Sequence, residues 1–264
     1  MTETKINDIV IYDYEGKGEN VLFVHAFPLT ADMWHNQVDY FKNKYRIITF
    51  DIRGFGKSVD SFYYLYTMED FANDVLNIIE HLNLNKVNIC GLSMGGYIVQ
   101  RAVIKSQDKF SSMILADTKG EKEDDRGLLS RGKFIDKLKK DGIGNFPDEF
   151  MKRLMFKDNY YKGKLYNYIK GKIENQNVNA LIGASIAMST RTNTLDSFDK
   201  IKIPVLLMVG DNDTFTPPVH SRIMKENLEN SEIKIIKNSG HLSPLENPDE
   251  FNQHMDIFLQ RLIK

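Results

Sequence analysis

The pentapeptide Gly91-Leu92-Ser93-Met94-Gly95 constrains this chain more than any other stretch. The residues before it, Lys86-Val87-Asn88-Ile89-Cys90, have the composition of a buried strand, and those from 96 to 106 have helical spacing. A serine caught between such a strand and such a helix is held in a strained backbone conformation. Only glycine at the two flanking positions lets the chains pass that closely. The helix start turns free backbone N–H groups and the positive end of its dipole toward the serine oxygen. That arrangement suits acyl transfer. A pentapeptide of this kind also arises by chance, so the reading needs partners.

Partners follow in chain order. Residues 205–209 read as a strand that runs into Gly210-Asp211-Asn212-Asp213, with Thr216-Pro217 just beyond. Residues 233–236 read as another, running into Asn238-Ser239-Gly240-His241. Strand ends of a parallel sheet converge on one edge, so residues distant in sequence can meet there. A serine hydroxyl is almost never deprotonated near neutral pH and needs a base. An imidazole such as that of His241 can take the proton and later return it to the leaving group. A carboxylate then holds the imidazole tautomer. Three aspartates compete for that role, namely Asp213, Asp211 two residues earlier, and Asp117 at the end of the sixth predicted strand. His25, His35, His81, His220 and His254 lack a comparable context.

The remaining pattern fits one α/β domain. Residues 2–15 read as two strands around Asn7-Asp8, followed by strands at 21–24, 46–50, 87–90, 113–116, 205–209 and 232–236. Helical periodicity marks 68–82, 97–105, 219–228 and 249–263, and Thr67-x-x-Asp70 resembles a capping box with Asp in place of Glu. Alternation of strand and helix argues for a mostly parallel sheet covered on both faces. The alternation stops between residues 119 and 200, where only helical stretches occur, at 134–140, 148–156, 165–173 and 180–188. Residues 119–175 carry 15 Lys and Arg against 10 Asp and Glu. Two readings are open: a basic lid that attracts anionic substrates, or the solvated outer faces of helices.

A formal net charge of −1 gives no pull toward nucleic acid or membranes, and no apolar run approaches the ~18 residues of a membrane span. The first residues, Met1-Thr2-Glu3-Thr4-Lys5, lack a secretory pattern, and Cys90 as the single cysteine cannot form an internal disulfide. A soluble cytoplasmic protein is the expectation. No His or carboxylate cluster has metal-ligand spacing, so neither metal nor cofactor is expected. Asp51-x-Arg53-Gly54-x-Gly56 lacks both the Walker and the Rossmann spacing.

These motifs, with His25-Ala26-Phe27-Pro28 followed by Trp34, and Asp51-Ile52-Arg53-Gly54-Phe55-Gly56-Lys57-Ser58, together span residues 21–241. The chain resembles an α/β-hydrolase of the branch that holds carboxylesterases, 3-oxoadipate enol-lactonases and cofactor-free haloperoxidase-like perhydrolases. The resemblance implies an eight-stranded, mostly parallel sheet flanked by helices, with a helical cap inserted after the sixth strand. The core would be 1–118 and 200–264, and the cap 119–199. It implies Ser93 as nucleophile, His241 as base and Asp213 as the acid, with the backbone N–H groups of Phe27 and Met94 as the oxyanion hole. His25 would prop the oxyanion loop, and the loop at Asp51 would be a structural turn with an ion pair. Ala26 departs from the glycine many relatives carry beside that histidine. Trp34, Phe134, Met188 and Leu242 are candidate pocket residues, Trp34 with the alternative of anchoring a helix. The aromatics Phe146, Phe150, Phe156, Tyr160 and Tyr161 either contact substrate or pack inside the cap. The implied activity is hydrolysis of a small carboxylic ester or lactone through an acyl-enzyme, with no nucleic-acid or membrane partner. Perhydrolase or haloperoxidase activity and enol-lactone hydrolysis are the enzymatic alternatives. A hydrolase-derived small-ligand receptor is the non-enzymatic one.

Overall fold

The chain opens with two strands, β1 (Thr2–Ile6) and β2 (Ile9–Tyr14), paired antiparallel about Asn7 and Asp8. Both turn residues have positive φ, 45° and 66°, which Asn and Asp tolerate. In the computed structural model, which describes residues 1–59, 65–160 and 163–263, six further strands follow. They are β3 (Asn20–Val24), β4 (Arg46–Phe50), β5 (Val87–Leu92), β6 (Phe110–Ala116), β7 (Val205–Gly210) and β8 (Ser231–Ile236). The order across the eight-stranded sheet is β1-β2-β4-β3-β5-β6-β7-β8. β2 meets β4 antiparallel, and every pairing from β4 onward is parallel. All six residues of β5 and of β7 are buried, which is why β7 reads as an unbroken apolar run and β5 does so save for Asn88, whose side chain is hydrogen-bonded to Glu19, Asn20 and Ser112. Tyr161 lies outside the described residues.

Helices α1 (His35–Phe41), α2 (Met68–His81) and α3 (Met94–Lys105) precede β6. The capping box at the start of α2 forms as the sequence implies: Thr67 Oγ1 accepts the Asp70 N–H at 3.2 Å and Asp70 Oδ2 accepts the Thr67 N–H at 2.9 Å. Between β6 and β7 lie α4 (Asp125–Asp141), α5 (Phe146–Leu154), α6 (Lys157–Tyr160), α7 (Gly163–Glu174) and α8 (Val178–Ser189). α9 (Pro218–Asn227), α10 (Ser243–Glu246) and α11 (Pro248–Leu262) complete the chain. Among the described residues no helix is long and apolar enough to cross a membrane.

The inserted helices are fastened to α3 at both ends. Arg191, with a side chain only 1% exposed, donates to the carbonyls of Met188 (2.7 Å) and Glu121 (3.0 Å) and to Glu123 Oε2 (3.2 Å). Its guanidinium lies 4.2 Å from the centre of the Tyr97 ring of α3. Arg131 and Lys119 also pair with Glu123, at 2.7 and 3.2 Å. Arg101 of α3 donates to the Thr192 carbonyl at 2.8 Å, and Thr194 Oγ1 to the Gly120 carbonyl at 2.9 Å. Burial alone would raise the Glu123 carboxyl, but Arg131, Arg191 and Lys119 outweigh it and hold the group down at about 2. Elsewhere on these helices Lys137 pairs with Glu149, Lys170 with Asp148 and Lys172 with Asp32. Of these pairs only Lys172–Asp32 draws on an acid outside residues 119–175, so the positive excess of that segment stands.

The turn from β5 into α3 is set by contact with β3. Ser93 has φ 55° and ψ −112°, a conformation L-residues rarely adopt. A Cβ on Gly95 would stand 2.3 Å from the Val24 carbonyl oxygen and 2.7 Å from that of His25. The first turn of α3 therefore rests directly on the segment leaving β3. The Ser93 N–H donates to the Ala116 carbonyl (2.9 Å) and the Ser93 carbonyl accepts from Thr118 Oγ1 (2.8 Å), which pins the strained residue to the end of β6.

Both the glycine contact and the Glu123 cluster can be tested by substitution. Gly95→Ala forces apart two backbones with no flexible side chain to yield, and we expect a loss of at least about 2–3 kcal/mol in urea unfolding. A loss below about 1 kcal/mol would show that the contact is softer than described. Glu123 has a folded pKa below its unfolded value, so its contribution is present above about pH 4.5 and fades as pH falls toward 2. Glu123→Gln should cost about 3 kcal/mol at pH 7 and far less near pH 3. An equal cost at both pH values would assign the effect to packing instead.

Candidate active site

Three loops at the carboxyl edge of the sheet bring Ser93, His241 and Asp213 together. Ser93 Oγ lies 2.8 Å from His241 Nε2, and His241 Nδ1 lies 2.8 Å from Asp213 Oδ2. The side chains of His241 and Asp213 are 4% and 0% exposed. A carboxylate beside Nδ1 assigns the ring proton to that nitrogen, which leaves Nε2 free to accept from the serine hydroxyl. Asp213 is itself fixed: Oδ1 accepts the N–H groups of Phe215 (2.8 Å) and Thr216 (3.0 Å), and Oδ2 accepts Thr216 Oγ1 (2.7 Å).

The electrostatics follow from these contacts. Burial opposes ionisation of Asp213, but His241 and the Thr216 hydrogen bonds outweigh it and hold the carboxyl below the usual range. Burial likewise opposes the imidazolium of His241, yet the carboxylates of Asp213, Asp117 and Glu246 outweigh it and raise the ring above its ordinary value of 6.5.

The two other aspartates take different positions. Asp117, wholly buried, accepts the Gly210 N–H at 2.8 Å through Oδ1, and the N–H and hydroxyl of Ser243 at 3.2 and 2.5 Å through Oδ2. It braces the end of β7 against the loop that follows His241. Burial, reinforced by the Asp213 charge, pushes its carboxyl well up. Asp211 Oδ1 accepts from Asn212 Nδ2 (2.6 Å) and from the Ser239 N–H (3.3 Å), shaping its own turn.

Met94 is the first residue of α3, where a helical N–H has no partner within the helix. Phe27 belongs to the segment that leaves β3, against which Gly95 packs. His25 fixes that segment: Nδ1 donates to the Ala26 carbonyl (3.0 Å) and Nε2 accepts the Ile52 N–H (2.9 Å). Burial lowers its pKa, in keeping with a neutral ring. Asp51 accepts from the N–H of Ala31, the N–H of Lys57 and the Tyr12 hydroxyl, and Arg53 pairs with Asp74 at 2.6 Å, so this loop is a structural turn with an ion pair.

Of the candidate pocket residues, Phe134 lies with its ring 6.1 Å from that of Phe27. Trp34 takes its helix-anchoring alternative: it is fully enclosed, 4.8 Å from Phe23 and 6.3 Å from Phe251. That packing places it between β3 and α11. Met188 and Leu242 are enclosed as well, at 3% and 0% exposure. Among the aromatics, Phe146 packs on Phe134 and Phe150, while Tyr160 packs on Tyr166. Phe150 touches both Phe27 and Phe215, and Phe215 lies 5.0 Å from the His241 ring.

Phe215, Thr216 and Glu246 are the residues that sequence reasoning missed as site components. The Asp213-x-x-Thr216 spacing offered a local signal for the threonine. Nothing local marks Phe215 or Glu246. Among the described residues no group of three or more His, Cys, Asp or Glu side chains is arranged to hold a metal ion.

Comparison with known proteins agrees with this architecture. The chain is 24% identical to 3-oxoadipate enol-lactonase 1 of Acinetobacter baylyi over 274 aligned residues, covering 98% of this chain and 99% of that protein. A thermophilic esterase from Thermogutta terrifontis with malate bound superposes with a TM-score of 0.92 at 28% identity, over 97% of this chain and 94% of that one. A bromoperoxidase from Bacillus anthracis does so with a TM-score of 0.85 at 26% identity, over 96% and 95%. The sequence model of the alpha/beta hydrolase fold matches residues 19–248. The chain therefore belongs to the α/β-hydrolase fold family.

Proposed function

We propose that this protein is a serine hydrolase that cleaves a small carboxylic ester or lactone through an acyl-enzyme. The observation that carries the reading is the unbroken relay of 2.8 Å contacts from Ser93 Oγ to His241 to Asp213. Ser93 Oγ attacks the ester carbonyl carbon while His241 Nε2 takes its proton. The imidazolium that forms is stabilised by Asp213, which stays ionised. The negative oxygen of the tetrahedral intermediate is met by the N–H groups of Met94 and Phe27, each worth about 3–4 kcal/mol of barrier. His241 then protonates the leaving alkoxide, and water, deprotonated by the same nitrogen, frees the acid. The rings of Phe27, Phe134, Phe150 and Phe215 gather beside these groups and favour an apolar acyl portion. Residues 119–199 act as a cap over the site.

The similarity to enzymes named esterase and enol-lactonase supports ester and lactone chemistry. The likeness to a bromoperoxidase supports a second reading, in which peroxide replaces water at the acyl-enzyme and a peracid leaves. Bromination of monochlorodimedone in acetate and peroxide, if faster than ester cleavage, would favour that reading. A ligand receptor built on the same pocket would release product once and stall.

Ser93→Ala should reduce kcat/KM on p-nitrophenyl acetate at least about a thousandfold, with a Ser93→Ala/His241→Ala pair no worse than the single variant. Retained hydrolysis in Ser93→Ala would overturn the assignment. The working form of His241 is neutral, so the rate falls as pH drops through its pKa. Because that pKa is raised, the acid limb of kcat/KM should lie above the ordinary histidine value of 6.5. A limb below it would contradict the described environment.

A further inference from the structure

Glu246 closes the short helix α10, five residues after His241, and its carboxylate is saturated by two separate parts of the chain. Oε1 accepts the N–H groups of Gly240 (2.9 Å) and Leu242 (3.2 Å), the amides on either side of the histidine. Oε2 accepts the Phe156 N–H (2.8 Å) and Asn159 Nδ2 (2.9 Å), both in the inserted region around α5 and α6. The same Asn159 nitrogen donates to the Asn238 carbonyl at 2.8 Å, and the His241 N–H donates to the Leu154 carbonyl at 2.9 Å. Three successive amides, 240 to 242, thus find their acceptors on Glu246 or on the inserted segment. The backbones are also in close contact, since a Cβ on Gly240 would stand 2.6 Å from the Phe156 nitrogen.

We infer that Glu246 is a positioning residue that locks the His241 loop to the cap, so that Nε2 is held in line with Ser93 only while the 154–159 segment is seated. The inference rests on the reading of His241 as the base. Burial pushes the Glu246 carboxyl above its usual range, and its four N–H partners oppose that by favouring the ionised carboxylate, because a carboxyl O–H would meet another donor. An amide in its place can satisfy one pair of donors and must turn its NH2 toward the other. Among the described residues the groups that hydrogen-bond Glu246 are Asn159 and the amides of 156, 240 and 242, and the titratable ring it acts on is that of His241. The carboxylates acting on the His241 ring are Asp213, Asp117 and Glu246. Removing the Glu246 charge therefore withdraws support from the imidazolium as well as loosening the loop.

The test compares Glu246→Gln and Asn159→Ala with the wild-type chain. Glu246→Gln should lower kcat by about 10- to 100-fold with little change in KM. Its acid limb in kcat/KM should move to lower pH, a shift that a purely structural defect would not cause. Amide hydrogen exchange should show 154–159 and 240–242 losing protection together. Asn159→Ala, which spares the bonds to Gly240 and Leu242, should loosen both segments to a smaller extent and carries the test if Glu246→Gln does not fold. An unmoved acid limb and kcat within twofold of wild type in folded Glu246→Gln would overturn the inference. So would loss of protection in only one segment in either variant. If the wild-type chain turns over no ester, the proposed function fails, while exchange and NMR titration of the His241 ring still read the lock.

Discussion

The close contact between the start of α3 and the segment leaving β3 is the constraint on which the rest of the site depends. Glycine at 95 lets two backbones approach to a distance that any side chain would prevent. The approach leaves Ser93 at a positive φ, its carbonyl and N–H tied to Thr118 and Ala116, and its hydroxyl toward His241. It also sets Phe27 and the first residue of α3 on the same side of the sheet. A site that must stabilise a transient charge needs donors already in place, because donors that reorganise during reaction lose most of their benefit. In the proposed mechanism that placement comes from backbone packing, and the side chains remain free to shape the pocket.

Charge is used in two distinct ways around this frame. Glu123, Arg131, Arg191 and Lys119 form a partly buried group that fastens the inserted helices to α3, the helix that Ser93 precedes. Asp117 and Glu246 bind backbone and side-chain donors of the loops that carry Asp213 and His241. Neither side chain touches the imidazole: Glu246 acts on it through its charge and the loop it holds, and Asp117, whose carboxyl burial pushes well up, acts through the loops it braces. Removing one partner from a buried ionic group leaves the other charge uncompensated, so such groups resist piecemeal change.

Residues whose role is set by local backbone geometry are legible in the sequence. Ser93 between glycines, and Asp213 and His241 just past strand ends, announce themselves through their neighbours, and so does the capping box of α2. Among the three aspartates, the imidazole selects Asp213, while Asp117 and Asp211 serve as backbone braces. Residues whose role depends on chains distant in sequence stay hidden. Glu246 gathers donors from 156, 159, 240 and 242, and no pattern around position 246 foretells it. α1 spans seven residues, too short for a periodic window to register. The first half of α4 escapes periodicity for another reason: it holds two glycines, its leucines Leu128 and Leu129 are exposed, and Leu138 is the only buried residue of that helix. Trp34 shows why such residues stay ambiguous in sequence, since a large aromatic beside a reactive loop can equally be a core anchor, and here it packs on Phe23 and Phe251.

The most direct test of the central claim is intact-protein mass spectrometry of the chain quenched during steady-state hydrolysis of a p-nitrophenyl ester. An acyl-enzyme mechanism predicts a single acyl increment that maps to the peptide containing Ser93 and disappears in Ser93→Ala. Turnover with no adduct at any quench time, or an adduct on another residue, would contradict it.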